Sequence, residues 1–209
     1  MDTLKSKLSI VIFSILLAAV FNAKAQSFET MQKAFTASYT SEYKGNYTTA
    51  ISDLQKGYNA DNYECNLRMG WLYYKANQYE KALGYYQKAI DLKKYSVEAR
   101  QGYILPANAL KKYKEAYLKY EEILTIDPYN STANYWVGVN YYNIKKYDIA
   151  AKYFELVVNM YPFDYDANHM LGWTNIYLGK KSDAKVLFQK ALLYKPTDAS
   201  AKSGLENCK

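Results

Sequence analysis

Three side chains are the natural starting points for covalent or metal chemistry in this chain: His169, Cys65 and Cys208. A nucleophile must sit beside a base, and a zinc site needs three or four ligands at fixed spacing. One histidine and two widely separated cysteines meet neither demand. Loops of the Gly-x-Gly-x-x-Gly or Gly-x-x-x-x-Gly-Lys type, which cradle phosphates, are absent. Carboxylates do come in pairs, as at Glu121-Glu122, but adjacent helix positions point in different directions, so the pair reads as a solvated face. The sequence therefore argues against an enzyme, with no catalytic residue, metal ligand set or cofactor expected.

The chemistry in plentiful supply is that of contact surfaces. The chain has 25 tyrosines among 209 residues, which lifts the aromatic share to 17%. Tyrosine combines a large apolar face with a wet hydroxyl, and so suits helix packing and binding surfaces alike.

The first residues are read as a removable leader. Lys5 and Lys7 precede an apolar run of 14 residues, Leu8 to Phe21, and Asn22-Ala23-Lys24-Ala25 offers the small-x-small pattern of signal peptidase. The run is short for a spanning helix, which needs about 20 residues. No cysteine follows it to carry a lipid. We therefore expect residues 1–25 to be cleaved and the mature chain, 26–209, to be periplasmic or extracellular with no transmembrane span. Removing Lys5, Lys7, Lys24 and Asp2 lowers the net charge from +7 to +5.

The elements that would present these aromatics are announced by a repeat. Alanines recur at Ala50, Ala82, Ala116, Ala150 and Ala184, with gaps of 32, 34, 34 and 34. Prolines recur at Pro128, Pro162 and Pro196, and Gly70, Gly138 and Gly172 stand twelve residues before an alanine. Leu54, Tyr86, Tyr120, Phe154 or Phe188 follows each alanine by four. Tyr47, Tyr79, Tyr113 and Tyr147 recur as well and read as packing residues at the start of a second helix.

This pattern resembles the tetratricopeptide repeat, best in Gly138, Tyr141, Ala150, Phe154, Pro162 and in Gly172, Ala184, Phe188, Pro196. The resemblance implies an all-α, right-handed α-solenoid of about five helix-turn-helix repeats, at 31–62, 63–96, 97–130, 131–164 and 165–198. Residues 199–209 would form a capping helix over the last repeat. No linker composition interrupts the run, so one continuous domain is expected. Three departures stand out. Ala34, Asn66, Arg100, Asn134 and Asn168 replace the family's tryptophan. Ile104 stands where repeat 3 should have glycine, and Pro106 falls inside a helix, where it should kink or be tolerated. Ser38 and Ser41 make the first repeat degenerate. Cys65 stands where Ala99, Ala133 and Ala167 stand in other repeats, so it reads as a small buried residue. Several helices separate it from Cys208, so no intramolecular disulfide is expected, while a crosslinked dimer through Cys208 stays open.

In this family the first helices of the repeats line a groove. Carried onto matching positions, the resemblance implies a partner-binding surface of Phe35, Tyr39, Tyr43, Leu67, Trp71 and Tyr74 in the first two repeats. It continues through Leu105, Tyr135 and Tyr142 to His169, Trp173 and Tyr177. Glu42, Glu64, Glu98 and Asp166 against Lys75 make this face mildly acidic, which disfavours nucleic acid. Apolar residues also stand where a clamp for the acidic tails of heat-shock chaperones needs polar ones. Lys111-Lys112, Lys145-Lys146 and Lys180-Lys181 fall at the turns between helices. They suit acidic headgroups or polysaccharide, and equally the dipoles of helix C-termini. The function expected is an extracytoplasmic adaptor that binds a protein or peptide partner, in a setting such as cell-envelope assembly. The alternatives are a module that binds envelope glycans through the same aromatics, and a self-assembling scaffold.

Overall fold

The computed structural model describes residues 28–209. The expected leader at 1–25 lies outside the described residues. Among the described residues every regular element is a helix. The first, α1, covers 28–43. It is followed by α2 (Tyr47–Gln55), α3 (Tyr63–Lys75), α4 (Tyr79–Leu92), α5 (Val97–Ala109) and α6 (Tyr113–Ile126). Then come α7 (Ser131–Asn143), α8 (Tyr147–Met160), α9 (Tyr165–Tyr177), α10 (Lys181–Tyr194) and α11 (Ala199–Asn207). Odd-numbered helices through α9 open a hairpin and are called A helices; their even-numbered partners are B helices. The helices fall into two compact units, one holding α1–α4 and ending at Lys94, the other holding α5–α11 over Tyr95–Lys209.

Local chemistry starts the A helices from α3 to α9 and the terminal helix α11. Asn62, Ser96, Asn130, Asp164 and Asp198 are extended N-caps whose side chains accept the backbone N–H three residues on. That bond satisfies one of the orphan donors of a helix start and contributes about 1 kcal/mol per cap. The residue that donates is Cys65, Ala99, Ala133, Ala167 or Ala201, each wholly buried, which is why a small side chain is wanted there. In place of the family's tryptophan, Asn66, Asn134 and Asn168 turn their buried amides back to two carbonyls of the preceding turn. Arg100 does related work, donating to the Ser96 carbonyl and to Glu122.

The A helices end on a left-handed residue: Gly45, Asn77, Lys111, Lys145 and Gly179 all have φ between 58° and 75°. The following N–H then reaches back to a carbonyl of the helix, as from Lys146 to Tyr141 at 2.9 Å. This is the Schellman closure. The B helices α6, α8 and α10 stop two residues before Pro128, Pro162 and Pro196, which cannot continue them. Helix α5 runs through Pro106, which is buried and whose carbonyl still accepts from Leu110, so the proline is a tolerated irregularity.

Within a hairpin the two helices meet at the repeating glycine. A methyl group on Gly70, Gly138 or Gly172 would lie 2.8–2.9 Å from the ring of Tyr86, Phe154 or Phe188. These rings fill the space that a missing side chain leaves and anchor the core with Ala82, Ala150 and Ala184. Repeat 3 breaks the rule. Ile104 takes the glycine's place in the core, and Tyr120, itself buried, stacks on Trp136 of α7.

Candidate functional site

In the first unit, the expected aromatics are held by an ionic clamp. Glu42, near the end of α1, accepts the Trp71 indole N–H at 2.5 Å with one carboxylate oxygen. Its other oxygen faces Arg68 of α3 at 2.5 Å. The Arg68 guanidinium lies 3.8 Å over the Tyr39 ring and donates to Ser38, the residue in the glycine position. Its Nε has no partner among the described residues. Trp71 is thus half-buried and tethered, with Lys75 above its ring. Glu42 is committed to this clamp and is not a free charge of the face. Phe35 packs into the local core, Leu67 and Tyr74 are half-buried, and Tyr43 is 88% exposed.

In the second unit, the expected residues divide into separate groups. His169 and Trp173 belong to the cap. The Trp173 indole lies 3.1 Å from the Ser200 hydroxyl of α11, and His169 Nε2 lies 2.8 Å from the same oxygen. Trp173 also meets the Phe188 ring edge-on, and Gly204 of α11 presses on that ring from the other side. Burial depresses the His169 pKa below its ordinary value, with Asp198 and Asp166 opposing it more weakly. Tyr142 and Tyr177 form a ring cluster with Tyr147, whose plane stacks on Tyr177 at 4.5 Å.

Leu105 stands 40% exposed on α5, and Tyr135 meets a residue outside the expected set. Trp136 of α7 is 46% exposed, stacked on Tyr120 on one side and edge-on to Tyr135. It separates two cavities. One, of about 280 Å3, is bounded by Asn108, Tyr113, Tyr117, Tyr120, Asn140 and Asn143. The other, of about 340 Å3, is bounded by Ser131, Thr132, Tyr135, Tyr161, Asp164 and Asp166. Burial pushes the Tyr120 and Tyr135 hydroxyls up to about 12, so both stay neutral donors at any physiological pH. Trp136 went unmarked in the sequence because it lies outside the positions that the resemblance assigns to the groove.

Among the described residues, no group of three or more histidine, cysteine or acidic side chains could hold a metal. Cys65 and Cys208 are free, and burial raises both thiol pKa values, which keeps them protonated and weakly nucleophilic. The face is built for contact.

Models of the tetratricopeptide repeat match residues 63–95, 132–164 and 165–198, the hairpins α3–α4, α7–α8 and α9–α10. The chain is a tetratricopeptide-repeat protein. Its fold class is accordingly the all-α tetratricopeptide solenoid, a scaffold for protein–protein interaction. Solved tetratricopeptide structures are similar in fold. A MamA protein is 21% identical with TM-score 0.67, over 82% of this chain and 94% of that one. A tetratricopeptide repeat protein from Parabacteroides merdae is 17% identical with TM-score 0.71, over 86% and 72%. MamA from Desulfovibrio magneticus is 19% identical with TM-score 0.65, over 81% and 98%. A search of curated protein sequences returned no match. No described helix of this tetratricopeptide protein is long and apolar enough to cross a membrane.

Proposed function

We propose that this protein is an exported, non-enzymatic adaptor that seats a segment of a partner protein against Trp136 on the A-helix face of its second unit. The observation that carries the reading is the exposed indole between two cavities, rigidly backed by Tyr120 and Tyr135. A tryptophan held this way loses little freedom on binding, and buried aromatic anchors dominate most interfaces. The cavity beside Tyr120 suits an apolar side chain, and the Asn108, Asn140 and Asn143 amides at its rim suit the bonding groups of a peptide backbone. Export rests on the leader-like first 25 residues, and a role in cell-envelope assembly on analogy with the repeat family.

The test is photocrosslinked capture from envelope extract by the chain from Gln26 onward. Trp136→Ala should lose the captured partner, and Tyr43→Ala in the other unit should keep it. Equal capture by Trp136→Ala would end this reading. The same platform with three amides also favours a second one, a sugar ring stacked on Trp136. Quenching of Trp136 fluorescence by envelope glycan fragments, with no protein captured, would select it.

A further inference from the structure

The second unit carries a basic edge whose backbone geometry sets it apart from ordinary surface lysines. Its three A-to-B turns hold Lys111-Lys112, Lys145-Lys146 and Lys180-Lys181, and the hairpin register places all three turns at the same end of successive A helices. Lys111 and Lys145 occupy the left-handed position of the Schellman closure, at φ 60° and 61°. The third turn has glycine there, the residue that meets the requirement without strain. Lysine is thus accepted twice at a position that disfavours any side chain, and there it is held on a rigid turn pointing away from the helix pair.

Two further observations describe what such an edge would meet. Ile144 and Tyr113 flank the lysines and are 53% and 64% exposed. The acids of the edge are few: Glu115, which accepts from the Tyr103 hydroxyl at 2.8 Å, and Asp148 and Asp183 at the next helix starts. Cations interleaved with an exposed aliphatic and an aromatic group match the boundary of an anionic bilayer, where charge meets headgroups and apolar side chains enter between them. A phosphate backbone or a polysaccharide offers the charge but nothing for Ile144.

We propose that this edge docks the protein on the surface of a bilayer rich in anionic phospholipid. The test is co-sedimentation of the chain from Gln26 onward, which holds all the described helices, with vesicles of phosphatidylcholine alone or mixed equally with phosphatidylglycerol. Binding is expected to the mixed vesicles only and to weaken with salt. Lys111→Gln/Lys145→Gln/Lys146→Gln/Lys180→Gln should weaken it about tenfold or more. Ile144→Ser should weaken it several-fold. The charge-matched variant Lys88→Gln/Lys93→Gln/Lys94→Gln/Lys202→Gln should bind like the parent, which separates the edge from net charge. Equal loss in both quadruple variants would overturn the proposal. So would an unchanged edge variant, or retention on heparin or DNA with none on anionic vesicles.

Discussion

The Trp71 indole N–H donates to the Glu42 carboxylate, joining α3 to the end of α1. The second carboxylate oxygen pairs with Arg68, whose side chain is 7% exposed. Removing one partner of a buried pair strands the other charge, so Glu42→Ala should destabilise the first unit by about 3 kcal/mol. Adding Arg68→Met to that variant should recover most of the loss. Urea denaturation of the single and double variants checks this, and equal losses in both would refute the clamp.

Glycine substitutions should split by position. Gly138→Ala drives a methyl group into the Phe154 ring and should cost about 2 kcal/mol. Gly84, exposed inside α4 with open space around it, is the opposite case: Gly84→Ala should stabilise by about 0.5–1 kcal/mol through helix propensity alone. A comparison of chemical denaturation midpoints decides it, and matching signs would sink the argument.

The left-handed lysines make a prediction of their own. Lys111→Gly and Lys145→Gly should each raise stability by about 0.5–1 kcal/mol, because glycine carries no penalty at positive φ. Gly179→Ala should lower it by a similar amount. Stabilised glycine variants that also release anionic vesicles would show stability and surface binding in opposition at the same residues.

Docking of α11 should depend on pH through His169. Burial holds its folded pKa below the ordinary 6.5, so the native state favours neutral imidazole. The unfolded chain then takes up the proton first as pH falls. The His169 contribution is complete above about 6.5 and is lost as pH drops through the lower folded value. No other histidine titrates in this window. Denaturation midpoints followed by Trp173 fluorescence should fall between about pH 7 and 5, and His169→Gln should flatten that fall. A flat profile in the parent would contradict the assignment.

The N-cap of α11 is the last of these tests. Asp198 accepts the Ala201 N–H at 2.6 Å and the Tyr165 hydroxyl at 2.5 Å, which hold its carboxyl below the ordinary range. Asp198→Ala should cost about 1 kcal/mol and fray α11 first, seen as faster amide exchange in Ala199–Asn207 than in α10. Uniform exchange changes across α9–α11 would argue that the cap is not local.

The repeat was legible because close packing at one point per hairpin restricts residue type severely, so Gly138, Ala150 and Phe154 mark it without any neighbour. The capping series from Asn62 to Asp198 follows the same spacing, each cap closing one repeat and opening the helix of the next. The candidate site was harder to read. Trp71 and Trp173 hold equivalent positions, yet the first is tied to Glu42 and the second to Ser200 of the cap, partners from different helices that register alone does not specify. Trp136, exposed and stacked on Tyr120, falls outside the positions that the resemblance assigns to the groove. Periodic reasoning is weakest at such positions.

The A helices from α3 to α9 carry their own start signals, in the caps from Asn62 to Asp164, and every A helix its own stop signal, in the left-handed residues from Gly45 to Gly179. Contacts inside each unit join helices that are adjacent or next-but-one along the chain. Order can therefore begin in any hairpin and spread to the next by closing only short loops, which is the condition for rapid folding. It also sets the step in which such a chain can lengthen or shorten. Gain or loss of one whole hairpin preserves every seam, whereas a deletion of a few residues leaves a start signal with no helix to begin.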